Sequence, residues 1–236
     1  VAERDTADKG AQVSAMFTRI ARRYDLMNSV MTGGRHHAWR HATARAVAGA
    51  PAGPLLDLAT GTCDLALALR RELADRLVVG ADFSEGMLAE GRRKLDALHE
   101  RRTRLVAADA LALPFPDRTF ACVTSAFLLR NLADLPRGLA EMRRVTRSGG
   151  IVAALEIVRP ALPGWRGVFG FGFGRVVPAL GALIARDRQA YTYLPRSVQA
   201  FVTPAELGRL MRDLGFRDVS YRRLGLGAIA LHRAVV

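Results

Sequence analysis

Asp57, Gly61 and Asp82 are the residues whose types and spacing first suggest chemistry. Asp57 interrupts an apolar run, Leu55 to Ala59, that ends in the turn Thr60-Gly61-Thr62-Cys63. A helical pattern follows, with Leu65, Leu67, Leu69 and Leu73 among Ala and Arg. A second apolar run, Leu77 to Ala81, then stops at Asp82. Strand, glycine turn, helix, strand and acid make the first half of a nucleotide-binding α/β unit. Gly61 admits a ligand close to the backbone, the helix start offers free N–H groups, and an acid ending the second strand suits a ribose diol. An ordinary βαβ crossover with glycine at its turn has the same outline.

The turn narrows the choice of nucleotide. A dinucleotide fingerprint needs G-x-G-x-x-G, and here Cys63 and Ala66 occupy the second and third glycine positions. The looser D-x-x-x-G-x-x-D spacing from Asp57 to Asp64 fits S-adenosylmethionine (SAM) better, because SAM has no pyrophosphate to cradle.

These residues need a scaffold, and the rest of the chain supplies one. With 236 residues, half of them hydrophobic and about a quarter charged, the chain suits one α/β domain with an added element. Residues 1–12 read as a disordered tail. Residues 13–50 read as an N-terminal helical cap, with Val13, Met16, Phe17 and Ile20 on one face, a Gly33-Gly34 break, and a last helix from His36 to Val47. Residues 51–236 then form the main domain. After Asp82, Ser84 caps a helix through Leu98; strand three is Arg104 to Ala108; strand four runs from about Phe120 to Ala126. Asp134 opens a helix to Val145, and Ile151 to Ile157 is strand five. Thr203-Pro204-Ala205-Glu206 is a capping box, and Phe216 to Arg223 with Leu226 to Arg233 makes an antiparallel pair around a Gly225 turn. Five parallel strands plus a terminal hairpin is the layout of a seven-stranded, Rossmann-like SAM-dependent methyltransferase.

Charge and composition bound the partners. The formal net charge is +13, and Lys9 and Lys94 are the only lysines beside many arginines. Such a balance favours an anionic partner, whether nucleic acid, membrane surface or acidic substrate. Nucleic acid is disfavoured, because no N-P-P-Y-type motif and no interleaving of basic with aromatic residues is present. Cys63 and Cys122 fall inside βα units, and neither they nor the histidines have metal-ligand spacing, so no metal is expected. The polar amino terminus and the lack of an uncharged apolar run near ~18 residues point to a cytoplasmic protein.

Several motifs in order carry a resemblance to a known family. They are Arg23-Tyr24-Asp25-Leu26-Met27-Asn28, LLDLATGTCDLAL at 55–67, Asp82-Phe83-Ser84-Glu85-Gly86-Met87-Leu88, ALPFPD at 112–117, LLRN at 128–131, Tyr191 with YLPRSV, and ALHR at 230–233. From Val13 to Arg233 the chain resembles the UbiE-type C-methyltransferases of menaquinone and ubiquinone biosynthesis. The resemblance implies SAM as methyl donor and a reduced polyprenyl-quinone precursor, demethylmenaquinol-like, as acceptor. A methyltransferase tailoring another small aromatic metabolite is the alternative. The implied cofactor contacts are Gly61 and Thr62 in the turn, Asp82 on the ribose hydroxyls, Asp109 and Ala110 at the adenine, and Ala126 on strand four. Two departures stand out. Cys63 replaces the usual glycine and is expected to put a side chain beside the methionine moiety; Leu128 replaces the glycine that usually precedes Leu-Arg-Asn.

On the acceptor side Arg130 is the expected phenolate partner, with Asn131 and Tyr24 positioning water, acceptor or SAM. His36 and His37 are weaker candidates for a base. Residues 160–198 break the βα rhythm. Trp165 to Arg175 holds three of the ten Phe and one of the two Trp, and reads as a lipid-facing lid or insert. The expected partner is thus a lipophilic quinol, with peripheral contact at the inner face of the cell membrane and a homodimer as further possibilities.

Overall fold

The computed structural model describes residues 2–160 and 188–236. A seven-stranded sheet in the order β3-β2-β1-β4-β5-β7-β6 organises the chain. Strands β1 (Leu55–Leu58), β2 (Val78–Asp82), β3 (Thr103–Ala107), β4 (Phe120–Ala126) and β5 (Thr146–Ile157) run parallel. The terminal hairpin, β6 (Arg217–Leu224) and β7 (Ile229–Val235), pairs antiparallel, with β7 against β5. The α/β class and the hairpin are as the sequence implies. Strand β5 begins earlier than expected, because Thr146 already pairs with Phe120, and the register shifts before pairing resumes at Ile151 with Cys122.

Period-two alternation along the central strands builds two cores, one on each face. Leu56, Val123, Val152 and Ala154 face helices α5 (Leu135–Val145) and α7 (Pro204–Asp213). Leu55, Cys122, Ile151, Ala153 and Leu155 face α2 (Arg35–Ala46) and α3 (Asp64–Glu72). Expected caps hold: Asp134 accepts from Arg137 N at 2.9 Å, and Thr203 with Glu206 forms the full capping box.

The amino-terminal segment corrects the expected tail. Residues 2–12 continue a single helix, α1 (Ala2–Thr32), instead of forming a loose segment. Ala, Glu, Arg and Lys are good helix formers, so a polar composition alone did not exclude helix there. Met16, Ile20, Ala21 and Met27 are its buried stripe and meet Met87 of α4 (Glu85–Ala97). A further helix, α6 (Arg188–Ala200), sets Tyr193 and Leu194 against the same cluster. The lid expected over 160–198 lies largely outside the described residues. No helix among the described residues is long and apolar enough to cross a membrane.

The cap meets the sheet domain by close backbone approach. Thr18 Oγ1 and Ser84 Oγ lie 2.9 Å apart, and Ser84 is the N-cap of α4, accepting from Met87 N. A Cβ added at Gly86 would sit 2.8 Å from Thr18 Cγ2 and 2.9 Å from Thr18 Cα. Gly86→Ala gains about 0.5–1 kcal/mol of helix propensity but overpacks against backbone, at about 1–3 kcal/mol. The variant should melt lower than the wild type in a thermal scan. An unchanged or higher Tm would show that α1 yields without cost.

Candidate functional site

The sheet order reverses between β1 and β4, and ligands of open α/β sheets bind at the strand carboxyl ends beside such a switch. A cleft of about 620 Å³, counting the solvent-open space at its mouth, lies there. Its floor is Leu58, Ala59 and Gly61 from β1 and its turn, Asp82, Phe83 and Ser84 after β2, Ala108 and Ala110 after β3, and Ala126 to Leu128 after β4. Helix α1 contributes Val13, Ser14, Phe17 and Tyr24, α4 contributes Met87, and Asn131 closes the wall. Of the residues singled out from sequence, Tyr24, Gly61, Asp82, Ala110, Ala126 and Asn131 meet in this cleft.

Asp82 is buried, yet both carboxylate oxygens are held. Gly61 N donates to Oδ2 at 2.8 Å and Ser84 N to Oδ1 at 2.8 Å. Burial raises its pKa above the ordinary carboxylate value, and the backbone donors of Ser84 and Gly61 oppose that rise. Each oxygen retains a lone pair, so the carboxylate suits a vicinal diol.

Three expected site residues stand off the cleft. Thr62 is buried and donates to Asp25 Oδ1 of α1 at 2.5 Å. Asp109 is exposed and caps its own turn, accepting from Leu111 N at 2.9 Å. Arg130 is the largest correction. Its NH1 donates to Glu156 Oε1 at 2.6 Å and to the Phe127 carbonyl at 2.7 Å. The two side chains are 6% and 0% exposed, so this is a buried ion pair and not a free cation waiting for an oxyanion. Arg130 Nε has no hydrogen-bond partner among the described residues. A single acid inside the apolar run Ile151 to Ile157 was the available signal for Glu156.

Cys63 also departs from expectation. It takes the left-handed conformation, φ 70°, and its buried side chain joins the core beneath α3 instead of the cleft wall. Its Sγ lies 2.6 Å from where a Cβ on Gly91 would stand, so α4 makes room for it by lacking that atom. Burial pushes the thiol up to about 12, with Asp57 adding to the shift, so it is no nucleophile at neutral pH.

Below the turn a charged network ties the cap to the domain. Lys94 Nζ bridges Asp25 Oδ2 at 2.5 Å and Asp64 Oδ1 at 2.7 Å. Burial works against the Lys94 charge, but Asp64 and Asp25 hold its pKa above the usual value. Burial would likewise raise Asp64, and Arg40 and Lys94 outweigh it and lower its pKa. His36 contacts Arg40 NH1 at 2.5 Å and Ser29 Oγ at 3.1 Å, away from the cleft. Burial, then Arg40, depresses it to about 4, so it is a poor base candidate. His36, His37 and Asp64 could converge on an ion, but Arg40 and Lys94 beside them disfavour a cation.

Asp57 has a structural place one layer below. It accepts from Thr60 Oγ1 at 2.7 Å and Thr124 Oγ1 at 3.1 Å. Burial pushes its pKa up to about 7, against the two threonine hydrogen bonds. Because the folded value lies above the ordinary one, its stabilising contribution is full below about pH 4 and is lost as pH rises through about 7. Thermal melts of Asp57→Asn against wild type should therefore favour the variant increasingly between about pH 5 and pH 8. A constant difference across that range would show that Asp57 does not titrate there.

Comparison with known proteins places this geometry. A sequence profile of the ubiE/COQ5 methyltransferase family matches residues 5–236. A demethylmenaquinone methyltransferase from Roseiflexus castenholzii is 43% identical, covering 96% of this chain and 94% of its own length. One from Thermus thermophilus is 45% identical, over 92% of this chain and 98% of its own. The ubiquinone/menaquinone biosynthesis C-methyltransferase UbiE of Geobacter sulfurreducens is 38% identical, over 95% and 88%. Among solved structures, a SAM-dependent methyltransferase from Thermotoga maritima, described as a possible histamine N-methyltransferase, shares the fold. Its TM-score is 0.66 at 16% identity, over 94% of this chain and 98% of that one.

Proposed function

The chain belongs to the ubiE/COQ5 methyltransferase family, and from that premise we propose that it moves a methyl group from SAM to a ring carbon of a demethylmenaquinol-like, reduced polyprenyl-quinone precursor. One observation carries this reading: a single cleft is lined by the buried acid Asp82, by Tyr24 and Asn131, and by apolar side chains. SAM, when bound, supplies a methyl group already activated on a sulfonium. The chain's own residues must then bind, orient and manage one proton. Asp82 takes the ribose hydroxyls on its free lone pairs. Ala108 and Ala110 leave apolar room for a base.

A ring carbon becomes nucleophilic when an adjacent hydroxyl loses its proton, and a free phenol titrates near ~10. Asn131 is the polar group on the cleft wall suited to the ring oxygen. Arg130 acts through it, because the guanidinium holds the Phe127 carbonyl that also accepts from Asn131 Nδ2 at 3.0 Å. Arg130 is therefore a positioning residue, its charge balanced by Glu156. Phe17, Met87 and Phe127 favour an aromatic acceptor. The net charge of +13 and the exposed Leu26 and Val30, on the same face of α1 as Arg22, support peripheral contact with an anionic leaflet. Leu128 on the cleft wall favours, as a second reading, a smaller aromatic acceptor.

Labelled SAM offered with demethylated naphthoquinols, benzoquinols and soluble phenols should label the long-tailed naphthoquinols fastest. Turnover confined to soluble phenols would establish the second reading, and no turnover on any acceptor would overturn both. Asp82→Ala should weaken SAM binding by ~2–3 kcal/mol in calorimetry, the loss of charge-assisted hydrogen bonds. Unchanged affinity in a folded variant would remove Asp82 from the site.

A further inference from the structure

Tyr193 opens the YLPRSV motif, which gave it no individual role, and it touches the acceptor wall. Its hydroxyl lies 3.2 Å from Asn131 Oδ1. Its ring packs with the cap cluster that includes Phe17, Tyr24 and Met87, three residues of the cleft lining. The direction of the hydrogen bond follows from the partners. The Phe127 carbonyl can only accept, so the Asn131 group facing it at 3.0 Å is the amide NH₂. Asn131 Oδ1 therefore faces Tyr193, and the phenol must donate. Burial raises the Tyr193 pKa, Arg130 opposes the rise and Glu156 adds to it, so the phenol keeps its proton at neutral pH.

A phenol whose proton is already given to Asn131 has its oxygen lone pairs left to accept. Among the described residues no second group occupies them. A quinol differs from most small ligands in bringing a ring hydroxyl that must be held before it is deprotonated. We propose that Tyr193 is an acceptor-positioning residue, its hydroxyl fixed by Asn131 so that it receives a hydrogen bond from a ring hydroxyl of the quinol. The buried pair Glu156–Arg130 anchors this chain through the Phe127 carbonyl and Asn131. Tyr193 orients the hydroxyl and does not remove its proton. The inference rests on the quinol reading above.

Tyr193→Phe removes the hydroxyl and keeps the ring. With demethylmenaquinol as acceptor, kcat/KM should fall about tenfold or more, while the SAM Kd and the Tm stay at wild-type values. In an Asn131→Ala background the same substitution should cost almost nothing further, because the hydroxyl is no longer held. Wild-type turnover by Tyr193→Phe, or equal losses in the two backgrounds, would overturn the inference. So would a fall in Tm or SAM affinity that accounts for the lost rate. A wild type that methylates no quinol overturns the functional reading itself and this inference with it, which separates the two failures.

Discussion

The carboxylate of Asp82 is the interaction on which the site depends. It ends β2 in a buried position, where a bare charge would be costly, and backbone N–H groups from two different loops hold it. One donor belongs to the turn after β1 and the other to the start of α4. The acid thus fixes the distance between the cleft's two rims. Ser84 caps α4 and touches Thr18, so the same acid indirectly seats α1 over the cleft. Sheet, turn and cap are set by one side chain, and that side chain still has acceptors to offer a ligand.

The acceptor end is built differently. Glu156 and Arg130 are both withdrawn from solvent, and such pairs owe their presence to geometry more than to net stabilisation. Their pairing pins the Phe127 carbonyl and, through it, the amide of Asn131. Beneath the other rim, Asp25, Lys94, Asp64 and Thr62 tie the cap to the glycine turn. Asp25 follows Tyr24 directly, so the contact that braces the turn also sets a residue on the cleft wall.

Much of the fold was legible because its signals are local. Short apolar strands, a glycine turn, an acid at a strand end and a capping box all appear within a few consecutive residues. Asp82 was legible as a candidate for the same reason, whereas Tyr24 and Asn131, which line the same cleft, were named through the family resemblance. What escaped depends on contacts between distant segments. Thr62 turns from the cleft because α1 brings Asp25 to it, and no property of the turn reveals that. Arg130 was read as a free cation because Glu156 lies 26 positions away and meets it only once β5 has paired with β4. Residues 2–12 lack an apolar face, and their continuation of α1 follows from propensity and from the helix already begun beyond them.

The Cys63–Gly91 contact makes the turn after β1 and the middle of α4 depend on each other. A side chain at the turn fits only over a helix residue that has no Cβ, since Gly91 leaves just the space the sulfur takes. The two positions are therefore sterically coupled. With the sulfur in place, alanine or serine at 91 would require the Cys63 side chain to shift. A glycine at the turn would remove the sulfur contact, but the Gly61 carbonyl, 3.1 Å from the same Cβ position, would still crowd a larger residue there. The pair thus behaves as one unit of packing, and a change at either position is felt at the other.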